Sequence, residues 1–434
     1  MVGRFISDFR QDWQGQWLSL ALAVLIMLTF SQGWVSPLFG YSTEQSPMAG
    51  AVIRNIYYPI YLCAFVLIVF CYRRLFSAVI RTPLLLILVG LCALSALWSI
   101  DPSTTVRRTV ALSMTVLAGY AIAARFSWTR LIEVVAIAHL ILIVGSLFMA
   151  LALPDKGRMT SLFIGAWRGV FSEKNNLGAV MSSAFIICMA AGLHVPKRRL
   201  FWFAAAAVAV GLVVMSTSKT SLVTLMLGAG ALGFIWLARK GPVIGIVLVW
   251  LAVTTLIVGG SVMIMMPDEM LGLLGKDASL TGRTHIWAGI DYVMQTRPWT
   301  GYGFGAVWTL EGEWTPLARI SDVAGFRAYH AHSCWYEVWL ALGNSGLIVW
   351  ALLFASFWFL ALYRTWRGDG GYLALPFITI YSLMSVTESI ALSWNHLRWC
   401  IFVIIFVKIC LPKDAPEDVS QQKPAVDVRQ RLYI

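Results

Sequence analysis

Predominantly apolar runs recur along the chain, at roughly 17–34, 57–72, 83–98, 108–124, 131–153, 176–193, 200–215, 220–238, 243–266, 335–362, 371–392 and 397–411. A run of about 20 such residues, coiled as a helix, satisfies its own backbone and matches the thickness of the hydrocarbon layer. The pattern therefore predicts an all-α polytopic integral membrane protein with about twelve transmembrane helices. Of the 434 residues 59% are apolar and 12% charged, a balance that excludes a water-soluble globular domain of this length. The first run is longer than a signal-peptide core and has no small-residue cleavage pattern after it, so it reads as a retained span.

Basic residues flank alternate runs: Arg73, Arg74 and Arg81; Arg125 and Arg130; Lys197, Arg198 and Arg199; Arg239 and Lys240; Arg364 and Arg367; Lys408 and Lys413. By the positive-inside rule these loops and both termini are cytoplasmic. The expected organisation is one transmembrane domain over 1–412, with a long periplasmic loop at about 267–334, and a polar cytoplasmic tail over 413–434. Every polar cluster of chemical interest then falls on the outer face. The net charge of +12 is dispersed between spans without a nucleic-acid motif, so membrane orientation and an anionic substrate explain it better. The seven cysteines show neither zinc nor disulfide spacing.

A loop of roughly seventy residues is far longer than ordinary connections, which points to function. Within it, GRTHIWAGIDYVMQ (Gly282 to Gln295) sets Ile286, Trp287, Ile290, Val293 and Met294 on one helical face, predicting an amphipathic helix at the membrane surface. Arg283 opens that helix, where unpaired N–H groups favour anions and a guanidinium can grip a phosphate bidentately. The following GYGFG (Gly301 to Gly305) lets the backbone turn tightly or approach a ligand. Tyr329 to Gly346, YHAHSCWYEVWLALGNSG, brings His330 and His332 to the point where the loop re-enters the membrane, and an ionisable residue at such a boundary is a functional candidate by default. Two histidines two residues apart, with no obvious third ligand, are weak support for a metal site, and none is expected.

The order G-R-T, amphipathic helix, R-P, G-Y-G-F-G, H-S and G-N-S-G resembles the O-antigen ligase and Wzy-type polysaccharide polymerase superfamily of membrane glycosyltransferases. The likeness runs from about Trp98 to Glu388. WRGVFSEKNNLG (Trp167 to Gly178), with Arg168, Lys174, Asn175 and Asn176 at a helix entry, is similar to the same superfamily, although a helix cap beside a solvated loop has the same pattern. MSTSKTSL (Met215 to Leu222) carries Lys219 where many members have arginine; charge is kept and bidentate geometry lost. That lysine form, and LSALWSIDPSTTVRR (Leu94 to Arg108) with Trp98, Asp101, Arg107 and Arg108, resemble the exopolysaccharide polymerase branch, the latter equally fitting a short outer turn with a belt aromatic.

The resemblance implies a GT-C-type fold, an undecaprenyl-diphosphate-linked oligosaccharide as donor, an acceptor glycolipid and no cofactor. Such transfer needs charge stabilisation on the leaving diphosphate, an activated hydroxyl and a groove aligning both sugars. His332 is the expected general base, Arg283, Arg168 and Lys219 the expected counter-charges, and direct displacement inverts the anomeric centre. Glu388 and Glu337 are carboxylates able to orient His332 or to pair an arginine. Lys174, Asn175, His330, Arg327 and Tyr302 complete the substrate-binding candidates; Arg297, Arg319 and Arg327 also fit surface anchors, and Trp299, Tyr302, Trp308 and Trp314 fit either sugar platforms or anchors. His285 and His396 read as structural or interfacial. The favoured activity is polymerisation of lipid-linked repeat units at the periplasmic side of the bacterial inner membrane, with polysaccharide export or chain-length-control proteins as partners. A ligase transferring glycan to lipid A core is the alternative, and a flippase or exporter of lipid-linked sugars a further one.

Overall fold

A computed structural model describes residues 13–40, 47–161, 163–265, 282–367 and 370–412. The expected cytoplasmic tail and the first part of the long loop lie outside the described residues. The described chain is helical, with a single isolated β-bridge between Arg158 and Trp167. In chain order the main helices are α1 (Trp13–Phe30), α2 (Pro47–Arg81), α3 (Pro83–Leu94), α4 (Pro102–Arg125) and α5 (Trp128–Ala152). They continue as α6 (Lys174–His194), α7 (Arg199–Met215), α8 (Lys219–Ala238) and α9 (Pro242–Met265). The last five are α10 (Arg283–Met294), α11 (Pro316–Ala324), α12 (Cys334–Arg367), α13 (Gly371–Thr387) and α14 (Leu397–Cys410). Proline opens α3, α4 and α11, where its missing N–H costs nothing.

Seven of the described helical segments are long and apolar enough to cross a bilayer, not about twelve; Gly15–Phe30, Pro83–Leu97 and Gly371–Thr387 are apolar but shorter. The difference has a physical basis. Helix α14, at 14 residues, is buried along almost its whole length, so other helices rather than lipid surround it and its length is not set by the bilayer. Large apolar side chains such as Leu62, Phe76, Phe148, Leu200 and Trp250 stand exposed on the outer helices, the arrangement of a protein whose solvent is lipid. The chain is a multi-pass membrane protein.

Small residues let the inner helices approach. A Cβ on Gly119 of α4 would come within 2.7 Å of Val403 Cγ1 of α14, the close contact by which helices associate where no hydrophobic effect drives them together. The basic residues spread along the sequence gather at one end of the bundle. There Arg198 and Arg130 pair with Glu133 at 2.9 and 3.1 Å. Arg239 donates to the Thr365 carbonyl, Arg364 to that of Ile409 and Lys408 to that of Phe126.

The opposite end is capped by a small folded unit. The apolar face of α10, Ile286, Ile290, Val293 and Met294, is buried against Leu317, Ile320 and Ala324 of α11 and against Ala331 and Leu340. The helix expected to rest on the membrane thus turns its apolar stripe to a protein core. The signal that distinguishes the two, a second amphipathic helix capped by Thr315 and ended by Gly325 at φ 77°, lies thirty residues downstream.

Candidate active site

The cap is fastened to the bundle by the two glycine motifs. Helix α12 breaks at Gly343 (φ 65°, ψ −162°), and there a Cβ would lie 2.3 Å from the Trp299 carbonyl carbon. The backbone of the GYGFG segment enters the break: Tyr302 and Gly303 N–H donate to the Leu340 and Ala341 carbonyls at 3.0 Å each, and Asn344 N–H donates to the Pro298 carbonyl at 2.7 Å. The glycines therefore serve a close approach of main chain to main chain, and the carbonyls freed by the helix break find partners.

The LWSIDPS turn docks on the same strip. Trp98 Nε1 donates to the Thr300 carbonyl at 2.8 Å, Ile100 N–H to the Tyr302 carbonyl at 3.1 Å, and Phe304 N–H to Ser95 Oγ at 3.0 Å. Asp101 caps α4 by accepting from Thr104 N–H. Arg108 donates to the Gly305 carbonyl and lies over the Trp394 ring at 4.6 Å. This stretch, read as an outer turn or a family signature, is the seat of the loop.

Beneath the cap lies a cavity of about 990 Å³. Arg283, His330, His332 and Glu388 all line it, with Arg327 and Asn175 at its walls. Helix α10 supplies Arg283 at its first turn, the loop before α12 supplies the histidines, and the turn after α13 supplies Glu388. Arg283 and Glu388 form an ion pair at 3.7 Å. Of the two roles open to Glu388 from sequence, the geometry selects the arginine partner. Glu337 takes a positioning role instead, for its carboxylate accepts from Ala331 N–H at 2.7 Å, Ser389 Oγ at 2.9 Å and Trp308 Nε1 at 2.8 Å. Trp287 Nε1 donates to the Ala331 carbonyl at 2.8 Å and stacks on Tyr336. The residue before His332 is thus held on both its polar groups.

His332 itself sits at φ 52°, a conformation that a Cβ disfavours, and Gln32 and Leu392 on the same cavity share it at φ 57° and 52°. Strain of this kind persists where the surroundings over-determine it, and it clusters at functional sites. The His332 ring lies 3.8 Å from that of His330, with its Nδ1 buried and without a hydrogen-bond partner. Burial, then the neighbouring His330 and the Arg283 charge, push its pKa down to about 3, so the ring is neutral at pH 7. Among the described residues, no three His, Cys, Asp or Glu side chains converge in a metal-ligating group.

The remaining sequence candidates stand apart from this wall. Arg168 is buried and donates to the Lys156 carbonyl at 2.8 Å, bracing the turn 154–157. Lys174 donates to Thr217 Oγ1 at 3.3 Å and covers the Phe163 ring, which ties the entry of α6 to the turn carrying Lys219 at the start of α8. Neither Arg168, Lys174 nor Lys219 lines the cavity. Tyr302 is buried, its hydroxyl donating to the Val293 carbonyl at 2.7 Å, so it holds α10 and its ring is covered by Arg297. Arg327 pairs with Glu311 at 2.6 Å on the exposed rim.

Two residues given no catalytic or binding role from sequence also face the cavity: His396 and Arg398. An arginine one residue into an apolar run, in RWCIFVIIFV, was the available signal. Cys334 fixes the adjacent wall; its thiol donates to the Glu388 carbonyl at 3.2 Å, and its sulfur accepts from Ala391 N–H at 3.0 Å.

Residues 204–351, the span that contains Lys219, Arg283, His332 and the Gly343 break, match the family model described as O-antigen ligase. Over those residues the chain is similar to an O-antigen ligase domain. It is also 29% identical, over 218 residues, to the exopolysaccharide production protein ExoQ of Rhizobium meliloti (strain 1021); the match covers 46% of this chain and 48% of ExoQ, about half its length. Both findings support the O-antigen ligase and Wzy superfamily, exopolysaccharide branch. Glu388 and Arg398 lie outside the matched domain and join its residues only in the folded bundle.

Proposed function

We propose that this O-antigen ligase-type protein is a metal-independent, inverting glycosyltransferase that joins lipid-diphosphate-linked oligosaccharide repeat units into an exopolysaccharide. The observation that carries the reading is the convergence of the neutral His332 and the Arg283–Glu388 pair on one large cavity. His332 accepts the proton of the acceptor hydroxyl as its oxygen forms a bond to the anomeric carbon. The bond from that carbon to the diphosphate oxygen breaks, and the leaving diphosphate keeps the electron pair. Arg283 faces the charge that develops there, the preorganised stabilisation that most lowers such a barrier. The entering diphosphate also brings negative charge, which favours the imidazolium formed at His332.

The basic end of the bundle is cytoplasmic by the positive-inside rule, which makes the cavity periplasmic at the inner membrane. A carrier with alternating access has its charged site near the midplane. The cavity here is instead walled by helix termini and the cap at one end, which favours an enzyme over a flippase. The exopolysaccharide relative favours polymerase over ligase, and export or chain-length-control proteins are the partners such a product requires.

The test is transfer in detergent by purified wild type and His332→Ala, with a lipid-linked repeat unit or lipid A core offered as acceptor. Product with the repeat unit, reduced at least about 100-fold in the variant, is expected from a general base. Product only with lipid A core selects the ligase, and full activity without His332 overturns the base assignment.

A further inference from the structure

Arg398 is the most deeply placed cation of the cavity wall, with 6% of its surface exposed. Its Nη2 donates to Asn176 Oδ1 at 3.3 Å, while Nε and Nη1 are buried without a hydrogen-bond partner. Buried guanidinium donors are costly to leave unsatisfied, and native proteins rarely do so without a functional reason. Next to it, His396 Nδ1 is also buried without a partner. Two helix N-termini meet at this point, α14 with Leu397 and Arg398 and α6 with Asn175 and Asn176, all four residues lining the cavity. Neither His396 nor Glu173, the residues before the two helices, caps its helix with a side-chain hydrogen bond. Free N–H groups at two helix starts and the unmet guanidinium donors make one anion-binding corner.

The unmet donors of Arg398 point this corner at the substrate. Glu388 is already engaged by Arg283 at 3.7 Å, and Arg398 has no ion-pair partner among the described residues. The unpartnered Nε and Nη1 of Arg398 are thus left to a ligand from outside the chain. Resting on the lipid-linked substrate reading above, we propose that Arg398, with Asn176 and the start of α14, joins Arg283 in holding the diphosphate of the polyprenyl-linked substrate. The unmet Arg398 donors, Nε and Nη1, lie on different edges of the planar guanidinium and call for separate oxygens at fixed directions, a geometry that a lysine ammonium does not reproduce.

The test is binding of geranylgeranyl diphosphate to the purified full-length protein in detergent, against geranylgeranyl monophosphate, inorganic diphosphate and phosphatidylglycerol. Wild type, Arg398→Gln, Arg398→Lys, Asn176→Ala and His332→Ala are compared, each checked for a monodisperse peak and thermal midpoint. Wild type is expected to prefer the lipid diphosphate at least tenfold over the other three probes. Arg398→Gln and Arg398→Lys lose that preference, Asn176→Ala weakens it several-fold, and His332→Ala keeps it. If Arg398→Gln does not fold, Arg398→Lys and Asn176→Ala carry the comparison. Folded variants that bind like wild type overturn the subsite and leave the lipid-linked reading standing. Equal binding of phosphatidylglycerol makes the corner a bilayer-headgroup site, and equal binding of inorganic diphosphate a free-phosphate one; either overturns the proposal. No binding by wild type to the lipid diphosphate overturns the functional reading itself.

Discussion

Arg283 Nη2 and Glu388 Oε1 meet at 3.7 Å, joining the first turn of the cap helix α10 to the end of α13 in the bundle. The pair does more than hold a lid. It fixes the guanidinium against the cavity wall before any anion arrives. Preorganised charge of this kind needs no reorganisation when the leaving diphosphate develops its negative charge.

The pair should be coupled in function. Arg283→Ala and Glu388→Ala are each expected to lower transfer at least about tenfold, and the double variant by less than the product of the two. A double-mutant cycle on kcat/KM should return a coupling of about 1–3 kcal/mol. Strict additivity would dissolve the functional link.

Acid should act on the fold through His332. Its ring titrates near 6.5 in the unfolded chain and at about 3 in the folded protein. Between these values the unfolded chain binds more protons, so the contribution of this residue to stability is constant above pH 6.5 and falls as pH drops from 6.5 toward 3. His396, also pushed down to about 3 by burial and the Arg398 charge, acts in the same direction. Thermal midpoints in detergent at pH 7.5 and 5 should differ less in His332→Gln than in wild type. For the same reason the acid limb of kcat/KM should lie well below pH 6.5, and an acid limb at 6.5 would contradict a ring held neutral in the free enzyme.

At Gly343 a side chain is excluded twice, by φ 65° and by the Trp299 main chain. Gly343→Ala should cost on the order of 1–3 kcal/mol from backbone strain alone, with further loss from the clash, and should detach the cap and abolish transfer. Gly230 of α8 has open space at its Cβ, and Gly230→Ala should be neutral or raise stability by up to about 1 kcal/mol. Paired thermal melts and transfer assays compare the two.

Tyr302 separates a structural tyrosine from a sugar platform. Tyr302→Phe keeps the ring and removes the bond to the Val293 carbonyl. Stability should drop by about 1 kcal/mol, with the KM for the glycan unchanged; a several-fold rise in KM at constant stability would return the residue to the substrate.

The helices and the chemistry were legible to different depths. Apolar runs give α5, α6, α8 and α9 nearly to the residue, because a span must satisfy its own backbone whether lipid or other helices surround it. The count fails where helices are enclosed: α14 is apolar like the others but has no lipid to match. His332, Arg283 and Glu388 were legible because a titratable group beside an apolar run or at a helix start is costly there. Arg168 and Tyr302 carry a similar signal, yet their polar atoms meet backbone carbonyls, and sequence does not record whose.

The sequence by itself determined a multi-pass helical membrane protein, the basic flanks, and the His332 and Gly343 motifs, since these follow from local hydrophobicity, charge and backbone freedom. Tertiary structure alone decided that α10 packs on α11 rather than on lipid, that GYGFG enters the break in α12, and that Arg398 comes to stand at the cavity floor beside Asn176. Those are pairings between residues tens to hundreds of positions apart, and burial of an apolar face or a guanidinium becomes favourable only against the particular surface that the folded bundle brings to it.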